Sequence, residues 1–221
     1  MAVEISVTTT GATDAIKCSS VSFTNVAQTS TLGVTNTAVG STANPSGSIT
    51  TGTNNSVIIG GIHRYSANAL TVGSPFTNIT SNGTPSTAIS NDYYIKASAG
   101  SQTLSYTRSG TQDWAMALAE FKPDGTITYD AKASGAQSGY IGGTTVKWNH
   151  TCTGSKLILV VYVGLWQDVA GTGSVSGVTY NGSSFTKATA VTTGAMRSEI
   201  WYLVNPTGGS GTNTGQFFAV L

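Results

Sequence analysis

The sequence predicts an all-β protein, an antiparallel β-sandwich of jelly-roll or immunoglobulin-like type, on three observations. Thr, Ser, Val, Ala and Asn dominate the 221 residues together with 27 Gly, a composition that suits strands and turns rather than long helices. No stretch shows a convincing helical apolar period, whereas several alternate apolar and polar residues. Asn82-Gly83 and Asn181-Gly182 indicate tight turns, because Asn-Gly readily adopts the positive φ values of two-residue hairpins.

A hairpin-like segment occurs twice. Residues 6–25 resemble residues 105–124, and each copy consists of a strand, a Gly-centred turn and a second strand with one apolar face. Four identities stand at a constant offset of 99: Ser6, Thr8, Gly11 and Asp14 match Ser105, Thr107, Gly110 and Asp113. The sandwich is therefore predicted to consist of two pseudo-repeated halves.

The segments around the second copy recur in the same order. Residues 55–62, 76–83 and 92–103 correspond to residues 155–163, 178–182 and 199–214. In the first half these segments are followed by a hairpin. The second half ends at residue 221 without one. The hairpin that the second half lacks stands at the amino terminus of the chain. We therefore predict three units: residues 1–25 as a hairpin that completes the carboxyl-terminal half, residues 26–125 as the first sandwich half, and residues 126–221 as the second half.

Two geometries satisfy this rotated order. The hairpin either folds back within its own chain, which gives a closed monomer with its ends close together, or it completes the sheet of a neighbouring copy by strand donation. The second geometry would build a filament or a ring. A carboxyl-terminal strand is a second candidate for the same position. The predicted assembly strands carry these apolar residues: Val3, Ile5, Val7, Phe217, Phe218 and Val220.

The remaining strands are assigned from apolar runs and alternation. Residues 57–63 form a continuous apolar run, typical of a strand in a sandwich core. Residues 93–97 and 199–204 are matching strands with large aromatic residues, and residues 114–121 alternate small with larger side chains, which suits close packing of a second sheet. Irregular structure is predicted for three segments: a looping edge at 27–53 with a strand near 35–41, a turn at 123–125, and a linker or long loop at 131–144.

Charge and hydropathy exclude several classes of partner. Charged residues make up 9% of the chain and the formal net charge is +1, so nothing directs the protein to nucleic acid or to an anionic membrane surface. The longest apolar run, residues 157–163, is far too short to span a bilayer. Residues 1–4 show no signal peptide, which fits a mature fragment or release by lysis as part of a virion. We expect an extracellular or virion-surface location.

The sequence suggests neither enzymatic chemistry nor a cofactor. His63 and His150 stand apart, without the His-x-His or Cys-x-x-Cys spacing of a metal site. Most of the Asp residues lie in or beside Gly-rich turns, where Asp normally caps its own backbone. Cys18 and Cys152 belong to the two pieces that the rotated order brings together, so they either form a disulfide or remain two buried thiols.

Carbohydrate binding is the alternative function that the sequence allows. β-Sandwiches often hold sugars against exposed aromatic faces, and surface glycans are therefore a second kind of partner. Three aromatic residues lie in loop-like stretches: Tyr65, Tyr140 and Trp166. Such residues can equally cover the ends of the sandwich.

Four segments resemble a β-sandwich module that recurs in bacterial extracellular proteins and phage structural proteins. They are residues 148–161 (WNHTCTGSKLILVV), 178–182 (VTYNG), 199–206 (EIWYLVNP) and 114–119 (WAMALA). In that module the half that contains the first three segments precedes the fourth, so this chain begins inside the module. The resemblance implies a structural or adhesive role and brings no catalytic residues. We therefore predict a non-enzymatic subunit that binds copies of itself in an extracellular filament or virion fibre, with a carbohydrate-binding adhesin as the alternative.

Overall fold

The computed structural model describes residues 3–65, 70–84, 87–108, 110–142, 145–167 and 173–207. In this part of the chain every regular element is a β-strand, and the paired strands are antiparallel, which confirms the predicted all-β sandwich class. The strands are β1 (Val3–Thr10), β2 (Ala12–Val26), β3 (Leu32–Gly40), β4 (Ser46–Thr51), β5 (Ser56–Tyr65), β6 (Thr71–Val72), β7 (Thr77–Thr84), β8 (Thr87–Lys96), β9 (Gly100–Thr107), β10 (Trp114–Phe121), β11 (Pro123–Gly142), β12 (Thr145–His150), β13 (Ile158–Trp166), β14 (Ser174–Tyr180), β15 (Ser183–Ser184), β16 (Thr186–Thr193) and β17 (Met196–Val204).

These strands form four sheets stacked as two sandwiches. The first sandwich has an inner sheet with the order β3-β10-β5-β8-β7 and an outer sheet with the order β4-β9-β6. The second has an inner sheet with the order β11-β2-β13-β17-β16 and an outer sheet with the order β12-β1-β14-β15. One apolar core fills each sandwich, and a third lies between the two inner sheets. The molecule therefore has four layers, and the two inner sheets pack against each other.

The two strand orders correspond position by position. In the inner sheets, β3, β10, β5, β8 and β7 take the places of β11, β2, β13, β17 and β16, and in the outer sheets β4, β9 and β6 take the places of β12, β1 and β14. Side-chain contacts follow the same correspondence. Phe23 lies edge-on to Tyr93 with ring centroids 5.2 Å apart, and Phe121 lies edge-on to Tyr202 at 5.4 Å.

The amino-terminal hairpin supplies a central strand to both sheets of the second sandwich, within its own chain. Strand β1 lies between β12 and β14, with Ile5 opposite Trp148 and Tyr180, and β2 lies between β11 and β13. Ile5 and Val7 are fully buried and Val3 is half-buried, as their alternation with polar residues predicts. Of the two open geometries, this is the closed one. Phe217, Phe218 and Val220 lie outside the described residues.

The two inner sheets meet through rings that lie over glycines. A Cβ added to Gly61 of β5 would lie 2.3 Å from ring carbons of Tyr162 in β13. A Cβ added to Gly164 of β13 would lie 3.0 Å from the ring of His63 in β5. Gly61 lies as far from the end of β5 as Tyr162 lies from the end of β13, and Gly164 lies as far from the end of β13 as His63 lies from the end of β5. The two contacts are therefore reciprocal. The sheets approach closely because each offers a gap where the other carries a ring.

Three local predictions are wrong, because backbone pairing overrides local composition. Asn82-Gly83 lies inside β7, which continues past the dipeptide to the pair Thr84 and Thr87. Residues 123–125 and 131–142 are not a turn and a loop but parts of β11, which pairs along the length of β2. This pairing provides hydrogen-bond partners for the backbone N–H and C=O groups of a segment that is rich in Gly and Ser. Residues 27–53 contain two strands, β3 and β4.

Candidate functional site

Two of the three predicted ligand aromatics meet at one end of the interface between the sandwiches. Tyr65 ends β5 and Trp166 ends β13, and their ring centroids are 5.1 Å apart with planes tilted by 54°. Tyr65 is 43% exposed and Trp166 is half-buried. We call these two residues the aromatic pair. Tyr140 lies in β11, but its side chain is outside the described part of the structure.

The strand ends position this pair. The side chains before Tyr65 in β5 and before Trp166 in β13 are buried, so the two rings emerge where both inner sheets reach the surface. Trp166 stands between Ala15 and Met196 in its sheet, and Tyr65 is paired with Thr87. Both rings therefore rest on a rigid base of paired backbone.

A chain of contacts links the aromatic pair to Asp113. The backbone N–H of Tyr65 donates to the carbonyl oxygen of Asp113 at 3.4 Å. On the other side, the N–H of Gln167, next to Trp166, donates to the carbonyl of Ala195 at 2.9 Å. A Cβ placed on the neighbouring Gly194 would lie 3.6 Å from Oδ2 of Asp113. Tyr65, Trp166, the turn at residues 194–195 and Asp113 are thus neighbours at this end of the molecule.

A polar groove of about 510 Å³ begins at Asp113. All of its lining side chains are exposed and polar: Ser41, Thr42, Thr111, Gln112 and Asp113. They bring together a carboxylate, an amide and three hydroxyls, which offers hydrogen-bond donors and acceptors close to one another. The sequence contains no signal for this groove, because its residues come from two turns rich in Ser, Thr and Gly that resemble many others in the chain.

The buried guanidinium of Arg108 holds the two sides of the polar groove together. Its Nη2 donates to the carbonyl oxygens of Thr42 and Gln112, each at 3.0 Å, and the residue is only 9% exposed. Its Nε and Nη1 have no hydrogen-bond partner among the described residues. Burial lowers the pKa of Arg108, and burial together with the charge of Arg108 lowers the pKa of the neighbouring Arg64 to about 10.

The histidines belong to the interior. His150 is buried at the end of β12, where hydrogen bonds of 2.9 and 3.0 Å join its two ring nitrogens to Ser20 and Ser22. Ser22 donates in turn to Asp130 at 2.6 Å. Burial lowers the pKa of His150 to about 4, and that of His63 to about 3 with a further contribution from Lys17. No group of three or more His, Cys, Asp or Glu in the described residues could hold a metal ion.

Three buried carboxylates are held by hydrogen bonds. Asp92 accepts from Asn78, Ser90 and Tyr106 at 2.6–2.8 Å, and burial nevertheless raises its pKa to about 6. Glu120 accepts three backbone N–H groups at 3.1–3.3 Å, from Val34 in β3 and from Gly52 and Thr53 in the turn after β4. Glu199 accepts from Trp201 at 2.8 Å and pairs with Lys187 and Arg197. These partners give all three groups structural roles.

The two cysteines are free thiols in the structure. The alternative of a disulfide is therefore not formed, although both residues lie in the core of the second sandwich. Cys18 stands opposite Val163 and Gly135, whereas Cys152 contacts Ser22, which is four residues further along β2. Four strand residues span about 13 Å, well beyond the Cα separation of about 7 Å that a disulfide tolerates.

Comparison with known proteins gives no relative: no family model, curated protein or solved structure matches this chain. Within the described ranges, the structure also contains no helix of the length and apolar character needed to cross a membrane. The interpretation of the surface therefore depends on the geometry of these residues.

Proposed function

We propose that this protein is a non-enzymatic structural subunit that associates with copies of itself by exchanging the β1–β2 hairpin, in an extracellular filament or on the surface of a virion. The observation that carries the proposal is the central position of the hairpin in both sheets of the second sandwich. A neighbouring copy could supply the same strands with the same contacts, as in other domain-swapped assemblies.

The second sandwich requires this hairpin from one chain or another. In its described residues the hairpin buries seven apolar side chains completely or almost completely: Ile5, Val7, Ile16, Cys18, Val21, Phe23 and Val26. Burial of one such side chain contributes about 1.5–3 kcal/mol, and the whole stability of a domain is about 5–15 kcal/mol. A second sandwich without a hairpin would therefore unfold or acquire one from a neighbour.

The hinge for exchange is the short connection between β2 and β3. It crosses from the second sandwich to the first beside Lys122, which joins β10 to β11. The N–H of Ala27 donates to the carbonyl of Lys122, and the N–H of Lys122 donates to the carbonyl of Thr31, both at 2.9 Å. Opening would break these bonds and leave the hairpin itself intact.

The outer sheet of the first sandwich suits contact between copies. The outer sheet of the first sandwich contains no charged residue in β4, β6 or β9, and its exposed hydroxyls pair across strands, as Ser48 and Thr103 do at 2.8 Å. Surfaces without charge can be covered at little desolvation cost, and charged residues are depleted at the centres of protein interfaces. The resemblance to a module of extracellular and phage structural proteins implies the same kind of role.

The test uses the length of the hinge. Deletion of residues 28–30 should prevent β2 from reaching β3 of the same chain and drive the protein into dimers and larger species, measured by mass photometry and negative-stain microscopy. Insertion of a flexible Gly-Ser segment at the same place should favour the closed monomer. A folded, monomeric deletion variant would refute exchange. A wild-type protein that stays monomeric at millimolar concentration would refute the assembly role.

A further inference from the structure

The aromatic pair and the polar groove together have the composition of a carbohydrate-binding site. We propose that this end of the molecule binds a pyranose ring of a glycan, with Tyr65 and Trp166 against its C–H face and Asp113 and Gln112 bonded to its hydroxyls. This inference does not depend on hairpin exchange, because all of these residues belong to the closed chain.

The aromatic pair supplies the apolar half of the site. Its rings stand 5.1 Å apart at 54°, so they form an angled wall and not a stacked pair whose faces are closed to a ligand. Tyr65 keeps 43% of its surface exposed although it ends a strand that is otherwise buried. An aromatic ring in this position offers a flat apolar face to the C–H groups on one side of a sugar.

The polar groove supplies the other half. A sugar hydroxyl both donates and accepts, so its site needs both kinds of partner. The carboxylate of Asp113 accepts, and the amide of Gln112 and the hydroxyls of Ser41 and Thr42 do either. A volume of about 510 Å³ lies within the usual range for small-ligand sites, about 300–1,000 Å³.

The groove is organised before any ligand arrives. Arg108 binds the carbonyl oxygens of Thr42 and Gln112, which fixes the two turns relative to each other. A site that is already in place loses less entropy when it binds. The two remaining nitrogens of Arg108, Nε and Nη1, are buried and have no hydrogen-bond partner among the described residues, so Arg108 acts on the groove through the two turns that it joins.

A second exposed aromatic residue shows what distinguishes this site. Tyr129 is 37% exposed, but its ring is stacked on Tyr93 with an angle of 18° and a centroid distance of 5.8 Å, so one face is covered. Tyr129 pairs with Phe23 of β2, eight residues along that strand from Ala15, which stands opposite Trp166. Tyr129 is therefore a matched control for the loss of an exposed ring outside the site.

The first experiment screens the full chain on a glycan array and then titrates the best soluble oligosaccharide by tryptophan fluorescence. Trp166 should report the binding, because Trp114, Trp148 and Trp201 are at most 8% exposed. We expect Tyr65→Ala and Asp113→Asn each to weaken binding by about tenfold, the effect of one lost stacking or hydrogen-bonding contact.

Matched controls separate a lost site from a lost fold. Tyr129→Ala and Asp124→Asn should leave the affinity within about twofold, because each changes the same residue type outside the site. Thermal melts of each variant exclude unfolding as the cause. Absence of binding across the array, or binding that Tyr65→Ala and Asp113→Asn leave unchanged, would overturn the proposal. Neither result would bear on hairpin exchange, which the hinge variants test.

Discussion

The ring of Tyr162 occupies the space that a side chain at position 61 would need. A Cβ on Gly61 would lie 2.3 Å from the Cδ2 and Cε2 atoms of Tyr162, far inside the contact distance of two carbons. The opposite contact, His63 over Gly164, makes the two inner sheets complementary to each other. Two second sandwiches facing each other would instead place Tyr162 against Tyr162. The interface therefore favours packing of the first sandwich against the second over packing of two second sandwiches against each other.

Gly61→Ala should destabilise the protein by about 1–3 kcal/mol, the usual cost of inserting a group into a packed core. The Tyr162 ring cannot easily move away, because its hydroxyl is 2.7 Å from Ser198 Oγ, which donates to the carbonyl of Ala115 across the interface. Urea denaturation measures the difference. Gly177→Ala is the control, since a Cβ there would meet nothing within 4 Å. Equal stability of both variants would contradict this account of the interface.

The buried histidines should make the protein less stable as the pH falls below about 6.5. The folded pKa is about 3 for His63 and about 4 for His150, both lowered by burial from an ordinary value of 6.5. The unfolded chain therefore binds protons first, and the stabilising contribution is present above pH 6.5 and lost as the pH falls through the folded pKa. At pH 4.5 each histidine should cost on the order of 2 kcal/mol.

Urea midpoints at pH 4.5 and 7.5 measure this effect. His63→Leu and His150→Gln should each reduce the difference between the two midpoints, whatever they do to stability at pH 7.5. If neither variant changes the difference, acid sensitivity arises elsewhere.

Asp92 should have the opposite pH dependence. Burial raises its folded pKa to about 6, against 3.8 for an ordinary Asp, so the folded state binds the proton more tightly. Its stabilising contribution is full below pH 3.8 and is lost as the pH rises through 6. The difference in unfolding free energy between wild type and Asp92→Asn should therefore decrease from pH 4 to pH 7.

Both thiols should be inert in the folded protein. Burial raises the pKa of Cys18 far above its usual value and that of Cys152 to about 11, and the two residues are 1% and 2% exposed. Since the thiolate is the reactive form, a thiol reagent at pH 8 should label neither residue until denaturant is added. Rapid labelling of one thiol without denaturant would indicate local opening of the second sandwich around that residue.

The sequence predicted the strands that carry their own apolar pattern. The alternation of Val3, Ile5 and Val7 with polar residues placed β1 in a core, and the continuous apolar run of β5 did the same for that strand. A strand that is buried on one face has alternating apolar residues, and one that is buried on both faces has a continuous apolar run. The sequence of β11 has no such apolar pattern. Its Gly- and Ser-rich segment is a strand because β2 offers a long edge to pair with, and that edge is remote in sequence.

The candidate site was predictable only in its aromatic part. Tyr65 and Trp166 stood out as large rings in segments predicted to be loop-like, whereas the structure places them in strands, as the last residues of β5 and β13. Their equal position could have been found by extending the repeat. The groove could not have been found in this way. Thr42 and Gln112 are 70 residues apart, and Arg108 joins them through backbone carbonyl oxygens, which are the same for every residue type.

The position of β1 also sets the order in which the molecule can form during synthesis. Strand β1 pairs with β14, so Ile5 meets Tyr180 only after about 170 further residues have been made. At about 5–20 residues per second, the ribosome needs on the order of ten seconds or more for that length. For most of this interval, until β11 and β12 have been made, β2 and β1 have no partner strand in their own chain. On a crowded polysome, neighbouring nascent chains would have time to take up one another's hairpins before each closes on its own.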